Sequence, residues 1–193
     1  MDNHSASKDD EPFEQSDRIS IKTSNLPLFL IDEKKVRDFV ELILRLLHLD
    51  TYQIDLSFVD ENKIRDLNRD FRFKDSPTDV LSFSQIDFSV PLELDAKPQH
   101  SEVHNLLGDL VICLPVALKN ASSIGHALDR ETAFLIVHGI LHLGGHDHES
   151  PQEEKMMTAL QRKIFEQIDI HYAEPPPYLN MVVTTNGGSH GAN

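Results

Sequence analysis

The sequence has few of the residues on which disulfide-stabilised or thiolate-bound folds depend. Its 193 residues contain one cysteine, Cys113, and no tryptophan. A single thiol excludes a disulfide within the chain and a zinc site built from several cysteines. No apolar run approaches the roughly 18–20 residues that a membrane span requires, and the acidic N-terminal segment is unlike a secretory signal or a transit peptide. We therefore expect a cytoplasmic protein without a membrane partner.

Positive charge is also scarce, but it is unevenly distributed. The formal net charge is −14 and the estimated pI is about 5.1, which disfavours nonspecific binding to duplex DNA, so no DNA partner is expected. Residues 63–74 run against this trend, with five basic and two acidic side chains and a net charge of +3. A local basic patch of this kind can hold a phosphate group on an otherwise acidic protein.

The order of polar and apolar segments predicts one α+β domain. Residues 1–18 are acidic and polar, and residues 174–193 have three consecutive prolines directly after Glu174. Both segments are predicted to be disordered tails around a domain at 19–173. Strand and helix patterns are mixed and hairpin signals are few. We therefore predict a small mixed β-sheet covered by helices, one of them a buried metal-binding helix.

The apolar periodicity places the main elements along the chain. The predicted strands cover 18–23, 52–60, 78–84 and 108–114, and Pro115 ends the last of them. Two predicted helices start after the caps Asp32 and Asp60. Three more helices are predicted at about 116–122, 129–143 and 151–168. Residues 85–107 are predicted to form a long loop. The helix at 129–143 is apolar almost all round, which is typical of a helix at the centre of a fold.

The segment HGILHLGGHDH, residues 138–148, contains the strongest chemical signal. His138 and His142 are four residues apart, so a helix places their rings on one face. Gly144 and Gly145 can end that helix and let His148 return to the two rings. Three imidazoles with a fourth position left to water suit a catalytic Zn²⁺ site, and another divalent transition metal such as Ni²⁺ is an alternative occupant.

Spacing alone leaves other readings of this segment open. The histidines can instead be hydrogen-bonded members of a polar seam, and His146 competes with His148 as the third ligand. Because His146 and His148 alternate, an extended turn points them apart, so we favour His148 and place His146 beside the pocket. Asp147 either orients a ligand ring or is an ordinary turn aspartate. Gly139 occupies the place of the glutamate in the H-E-x-x-H peptidase signature, which weighs against peptide hydrolysis.

Three segments in the same order resemble the YbeY endoribonucleases, the bacterial rRNA maturation factors. HGILHLGGHDH resembles the family's H-G-x-L-H-L-x-G-x-D-H signature, LNRDFRFKDSPTDVLSF (67–83) its second block, and LGDLVIC (107–113) a family strand. The likeness spans roughly residues 19–170. It implies a single α+β domain, a metal held by His138, His142 and His148, and cleavage of single-stranded RNA in small-subunit rRNA maturation and ribosome quality control. His146 stands where the family often has tyrosine.

The resemblance also places the family's functional arginine on Arg72. A guanidinium there can clamp a phosphate and stabilise the charge that develops during phosphodiester cleavage; the alternative is a solvated arginine on a loop. Arg69 and Lys74 are candidates for positioning RNA, or plain surface charges. Phe71 and Phe73 are candidates for stacking on bases, although at least one is expected in the core.

Two other classes of function stay open at this point. One is a metallohydrolase that acts on another phosphoester or on a peptide. The other is a noncatalytic ribosome-assembly factor with a structural metal site. The first is distinguished by its substrate, and the second by the absence of any cleavage.

Overall fold

A computed structural model describes residues 18–26, 31–88, 91–94 and 105–168. The four strands are β1 (Ile19–Thr23), β2 (Tyr52–Val59), β3 (Val80–Ser84) and β4 (Asn105–Cys113). The five helices are α1 (Glu33–Leu46), α2 (Glu61–Arg72), α3 (Leu114–Ile124), α4 (Leu128–Leu143) and α5 (Pro151–Gln167). These elements confirm the predicted α+β class. No helix in the described ranges is both long and apolar enough to cross a bilayer.

The strands form one mixed sheet in the order β1-β2-β4-β3. β1, β2 and β4 run parallel to one another, and β3 pairs antiparallel with β4 at the edge. Alternate residues of a strand point to opposite faces. In β4, Leu110 and Ile112 join the main core, whereas Val111 and Cys113 join a smaller cluster with Ile64 of α2. Residues of α1, α4 and α5 therefore fill one face of the sheet, and α2 covers the other.

The helix starts follow the predicted caps. The Asp32 carboxylate accepts the Lys35 backbone N–H at 3.2 Å, and the Asp60 carboxylate accepts the Lys63 N–H at 2.8 Å. Each bond satisfies a backbone donor that the first helical turn leaves open. Both helices thus begin where the sequence predicts.

The junction between β4 and α3 differs from the prediction. The strand begins at Asn105, inside the predicted 85–107 loop, and α3 begins at Leu114, so no loop separates them. Pro115 lies in the first turn of α3 rather than between two elements. Proline is well tolerated there because first-turn N–H groups have no helical partner.

The predicted tails lie almost wholly outside the described residues. Residues 1–17 and 169–193 belong to that part of the chain, so the boundaries at 18 and 174 stay predictions. Arg18 is the exception, because it is buried and its guanidinium contacts the Glu41 carboxylate and the Asp50 carbonyl oxygen. The carboxylate and the carbonyl compensate the burial of the Arg18 charge, so this residue packs with the domain, as the predicted strand from residue 18 implies.

The start of α4 is held by a buried polar pair. Glu131 is fully buried, and its carboxylate lies 2.7 Å from the Nε2 atom of His126. A buried carboxylate needs such a partner, because an isolated one would carry a large desolvation cost. The pair anchors the end of α4 that is remote from His142.

Candidate metal centre

His138 and His142 project from the same face of α4, as the four-residue spacing requires. Their Nε2 atoms are 3.1 Å apart, and the ring centroids are 4.7 Å apart. Nearly every other residue in this part of the helix is buried, including Val137, Ile140 and Leu141. The apolar packing that makes α4 central therefore also holds the two rings in position.

Gly139 explains how closely α4 approaches the sheet. A β-carbon at this position would overlap the side chain of Leu110 in β4. Helix and strand thus approach so closely that any larger residue, including the glutamate of the peptidase signature, would require the Leu110 side chain to move. The glycine at the place of the peptidase glutamate therefore has a packing reason as well as a chemical consequence.

The turn after α4 brings His148 back to the helical pair. Gly144 ends the helix with an ordinary negative φ, whereas Gly145 has a φ of +88°, so only Gly145 uses the left-handed conformation expected of both. The His148 ring centroid lies 5.8 Å from that of His138 and 5.0 Å from that of His142. One ring nitrogen from each histidine lies within 4.8 Å of the others. The structure thus brings the three predicted ligands together.

The cluster opens to solvent on one side. His148 is exposed, whereas His138 and His142 are partly buried. Two candidate ligands are thus fixed in the protein interior and the third lies at its edge. This arrangement leaves an approach for a solvent molecule or a substrate.

Hydrogen bonds define which nitrogen of each inner ring is available. The Nδ1 atom of His142 donates to the backbone carbonyl oxygen of His146 at 2.8 Å. The Nε2 lone pair of His142 therefore faces the cluster. The Nδ1 atom of His138 is buried without a hydrogen bond, and so is the Oε1 atom of Gln161.

Gln161 is a functional candidate that the sequence prediction missed. Its side chain is 2% exposed, and its Nε2 atom donates to the Phe134 carbonyl oxygen at 3.3 Å, one turn before His138. The signal was present: this glutamine lies on the apolar face of α5, four residues after Met157 and three before Ile164. A buried amide on a core-facing position requires a polar partner.

Burial keeps the inner histidines neutral. It lowers the pKa of His138 to about 3, assisted by the nearby His142 and His148 and opposed in part by the Gln161 side chain. Burial likewise lowers the pKa of His142, and the carbonyl oxygen of His146 opposes that shift. Neutral imidazole is the form that binds a metal ion.

This pKa predicts a pH-dependent stability for the metal-free protein. As the pH falls from about 6.5, the usual pKa, toward 3, the unfolded state gains a proton at His138 that the folded state does not. The contribution of neutral His138 to the free energy of unfolding is therefore complete above pH 6.5. Below that pH, the free energy of unfolding falls by up to about 1.4 kcal/mol per pH unit. Denaturant titrations at pH 7.5 to 5 with chelator should reveal this slope. His138→Leu should reduce it, and equal slopes in both proteins would contradict the assignment.

The side chains of His146 and Asp147 form their hydrogen bonds within the turn and its surroundings rather than with a ring of the cluster. The His146 side chain is 8% exposed, and its Nε2 atom lies 2.6 Å from the Leu92 carbonyl oxygen. The Asp147 carboxylate accepts the His148 backbone N–H at 2.8 Å. Among the described residues, no hydrogen bond joins Asp147 to a ring of the cluster. The turn-aspartate reading matches this placement, and His146 supports the cluster through its carbonyl oxygen.

The predicted basic residues lie around the C-terminal end of α2. Arg72 is its last residue and is exposed, and its charge contributes to lowering the pKa of His142, after burial and the neighbouring His148. Arg69 forms ion pairs with Asp66 at 2.9 Å and Asp70 at 3.1 Å. Across the described ranges, no ion pair includes Arg72 or Lys74. Arg72 thus provides a positive charge close to the cluster.

The expectation that Phe71 or Phe73 is buried is wrong. Phe71 is 63% exposed and Phe73 is 91% exposed. Both lie at the end of α2, which turns only Ile64 and Asn68 fully into the protein. The apolar residues at this end of α2 therefore belong to the surface of the protein.

A sequence model of the family described as "Endoribonuclease YbeY" matches residues 19–169. The chain belongs to the YbeY family. An endoribonuclease YbeY of Halalkalibacterium halodurans is 46% identical over 114 residues, covering 59% of this chain and 70% of the relative. One of Persephonella marina is 42% identical over 144 residues, covering 74% and 88%. A solution structure of a Thermotoga maritima protein covers 81% of this chain and 99% of its own, with 21% identity and a TM-score of 0.49.

Proposed function

We propose that this YbeY protein is a metal-dependent endoribonuclease that cleaves single-stranded RNA. We further propose that it acts in the cytoplasm on small-subunit rRNA and on the ribosomal small subunit, in maturation and quality control. Membership of the family supports the reaction class. The observation that carries the proposal is the convergence of His138, His142 and His148 at a place that solvent can reach.

The donor set fits a zinc ion. Three neutral imidazoles match its preference for nitrogen ligands, and their open side matches a catalytic rather than a closed structural site. We propose Zn²⁺ as the ion, and another divalent transition metal such as Ni²⁺ as the alternative. When bound, the ion would supply an activated water and polarise a phosphoryl oxygen.

Two of the buried atoms without a hydrogen bond, His138 Nδ1 and Gln161 Oε1, also fit a bound cation. Without a bound cation, the close Nε2 atoms of His138 and His142 require a proton between them. His142 already carries its proton on Nδ1, so His138 must donate from its Nε2 atom. His138 Nδ1 then has no proton to donate, which agrees with the unpaired state of this nitrogen and of Gln161 Oε1. A cation in the cluster would displace the shared proton. His138 would then carry its proton on Nδ1, where Gln161 can accept it.

The remaining chemistry falls to side chains at the rim. Arg72 would bind a phosphate oxygen and stabilise the negative charge that grows on it during cleavage. Arg69 and Lys74 would add sequence-independent attraction to the RNA backbone, with Arg69 weakened by its two carboxylate partners. No glutamate occupies the position after His138, so peptide hydrolysis lacks its usual base.

Three substrates separate this proposal from its alternatives. Metal-loaded protein is incubated with a labelled single-stranded RNA, with casein and with a chromogenic phosphodiester, each with and without chelator. We expect cleavage of the RNA alone, and its loss with chelator. Casein or phosphodiester turnover without RNA cleavage would favour another metallohydrolase, and no turnover at all would favour an assembly factor.

Replacing Gln161 should weaken metal binding without unfolding the protein. Gln161→Met keeps the side-chain volume but removes the acceptor for His138 Nδ1–H, and loss of such partners typically costs about 10–100-fold in metal affinity. Competition with a chromogenic chelator measures the affinity for Zn²⁺. Gln161→Glu restores an acceptor and should recover much of the affinity. Met157→Leu, on the same buried face of α5, is the control, and wild-type affinity in Gln161→Met would reject this role.

A further inference from the structure

Phe73 occupies a backbone position that normally favours glycine. It ends α2 with a φ of +59°. The Phe73 N–H donates to the Arg69 carbonyl oxygen at 3.1 Å, and the Lys74 N–H donates to the Asn68 carbonyl oxygen at 3.2 Å. This is the glycine-type helix ending, in which a β-carbon is unfavourable.

Packing does not compensate for this conformation. The Phe73 side chain is 91% exposed, so its ring gains almost no burial from folding. Phe71, two residues earlier, is 63% exposed and contacts Phe83 edge-on at a centroid distance of 5.1 Å. A large aromatic ring is thus held in water at a position where glycine would fold better.

The segment around Phe73 is well anchored. Asn68 is 4% exposed, and its side-chain amide donates to the Ser76 carbonyl oxygen at 2.8 Å. Arg65 forms a two-pronged ion pair with Asp75, at 2.7 and 2.9 Å. These contacts bridge α2 and the following loop on either side of Phe73. The exposed ring is therefore presented from a fixed backbone.

The surroundings of the ring are cationic and adjoin the candidate metal centre. Arg72 and Lys74 flank Phe73 in the chain, and across the described ranges no ion pair includes either of them. Phe71, next to Arg72, contacts Phe83 of β3, and the hydroxyl of the following residue, Ser84, donates to the Leu143 carbonyl oxygen at 3.2 Å. β3 thus links this end of α2 to the end of α4 that carries His142. An aromatic ring between two cations is the combination with which proteins hold single-stranded nucleic acid, stacking on bases while the charges bind the backbone.

We propose that Phe73 stacks on an unpaired base of the RNA strand whose phosphate reaches Arg72. This inference rests on the proposed function and adds a recognition site to it. A base inside a duplex is already stacked on both faces, so a stacking ring selects unpaired RNA. Base stacking tolerates any sequence, because every base has an aromatic face. The site would therefore recognise single-stranded character rather than a sequence.

The test measures binding to metal-free protein, so that cleavage does not interfere. Fluorescence anisotropy gives the Kd for a short labelled single-stranded RNA, for the same strand with abasic nucleotides, and for a duplex. We expect Phe73→Ala and Phe73→Gly to raise the single-strand Kd about 10-fold, within the roughly 5–150-fold range typical of one stacked base. Phe73→Trp should retain binding. The wild-type preference for the intact over the abasic strand should disappear in Phe73→Gly.

Two controls separate stacking from a loss of structure. Leu118→Ala removes an exposed apolar side chain of α3 whose neighbour Lys119 pairs with Glu61, at the opposite end of α2, and should leave the Kd unchanged. Phe73→Gly should unfold at the same or a higher denaturant concentration than the wild type, because glycine suits its backbone. Weaker binding together with equal or greater stability is the result expected of a ligand-binding residue.

Several results would overturn the inference. One is an unchanged Kd in Phe73→Gly, and another is equal binding of intact and abasic strands by the wild type. A third is a wild-type dimer that Phe73→Gly dissociates while RNA binding stays constant, which would make this surface a contact between two copies. Base-dependent binding without any cleavage would instead support the stacking site and reject the endoribonuclease proposal, so the two failures are distinguishable.

Discussion

The His142→Ala variant is expected to lose its bound metal and at least about a thousandfold of its RNA cleavage rate. His142 contributes one of the three converging nitrogens, and its Nδ1 bond to the His146 carbonyl oxygen orients the ring. Two remaining imidazoles bind a cation much more weakly than three. The bound ion is expected to contribute several kcal/mol of stabilisation to the charge of the transition state. Metal analysis after dialysis and a single-stranded RNA assay measure both effects.

Chelator treatment of the wild type should reproduce this loss, and added Zn²⁺ should reverse it. In His142→Ala, added Zn²⁺ should restore little. His146→Tyr serves as the matched control, because it removes a neighbouring imidazole whose Nε2 atom lies against the Leu92 carbonyl oxygen rather than in the cluster. If His146→Tyr lost the metal as completely as His142→Ala, the ligand set proposed above would be incorrect.

The second large effect is expected from Arg72→Ala, which should lower RNA cleavage by about 10²–10³-fold while the metal stays bound. That is the usual cost of removing one preorganised group that stabilises transition-state charge. Arg72 is exposed, lies near His142 and shares no ion pair within the described residues, so its removal leaves no unpaired buried partner. Cleavage rate, metal content and the unfolding midpoint are compared in one preparation.

Arg69→Ala is the matched control for Arg72→Ala. Both residues lie in the last turn of α2, but Arg69 is already neutralised by Asp66 and Asp70. We expect Arg69→Ala to change cleavage by less than about threefold at moderate salt, as is common for screened surface charges. Arg72→Lys should recover part of the rate, because it keeps the charge without the two-pronged geometry. Equal losses in Arg72→Ala and Arg69→Ala would indicate general attraction to RNA instead of a specific clamp.

Local chemistry explains why much of the fold was predictable. The caps Asp32 and Asp60 act within three residues, and the alternation of Tyr52, Ile54, Leu56 and Phe58 is a property of one strand. The join between β4 and α3 was mispredicted because Pro115 marks the end of a strand and the first turn of a helix equally well. Short apolar segments next to proline do not identify the element to which they belong.

The candidate site divides in the same way. The H-x3-H spacing and the paired glycines are local, so His138, His142 and His148 were accessible from sequence. Gln161 acts on the pKa of His138 from a different helix, 23 positions later in the chain, and no local pattern joins the two residues. The sequence predicts at least one of Phe71 and Phe73 in the core because apolar residues usually pack inward, whereas both are exposed and the bonds that end α2 hold the Phe73 ring outward.

The sequence by itself determined the α+β class, the family and the three histidines, because periodicity, capping and motif spacing are encoded by neighbours along the chain. Only the tertiary structure decided which polar groups meet the cluster from other elements and which aromatic rings stay in water. Those outcomes depend on how helices pack against the sheet, where Gly139 and Leu110 set the distance. Packing between distant segments is a property of the folded chain as a whole.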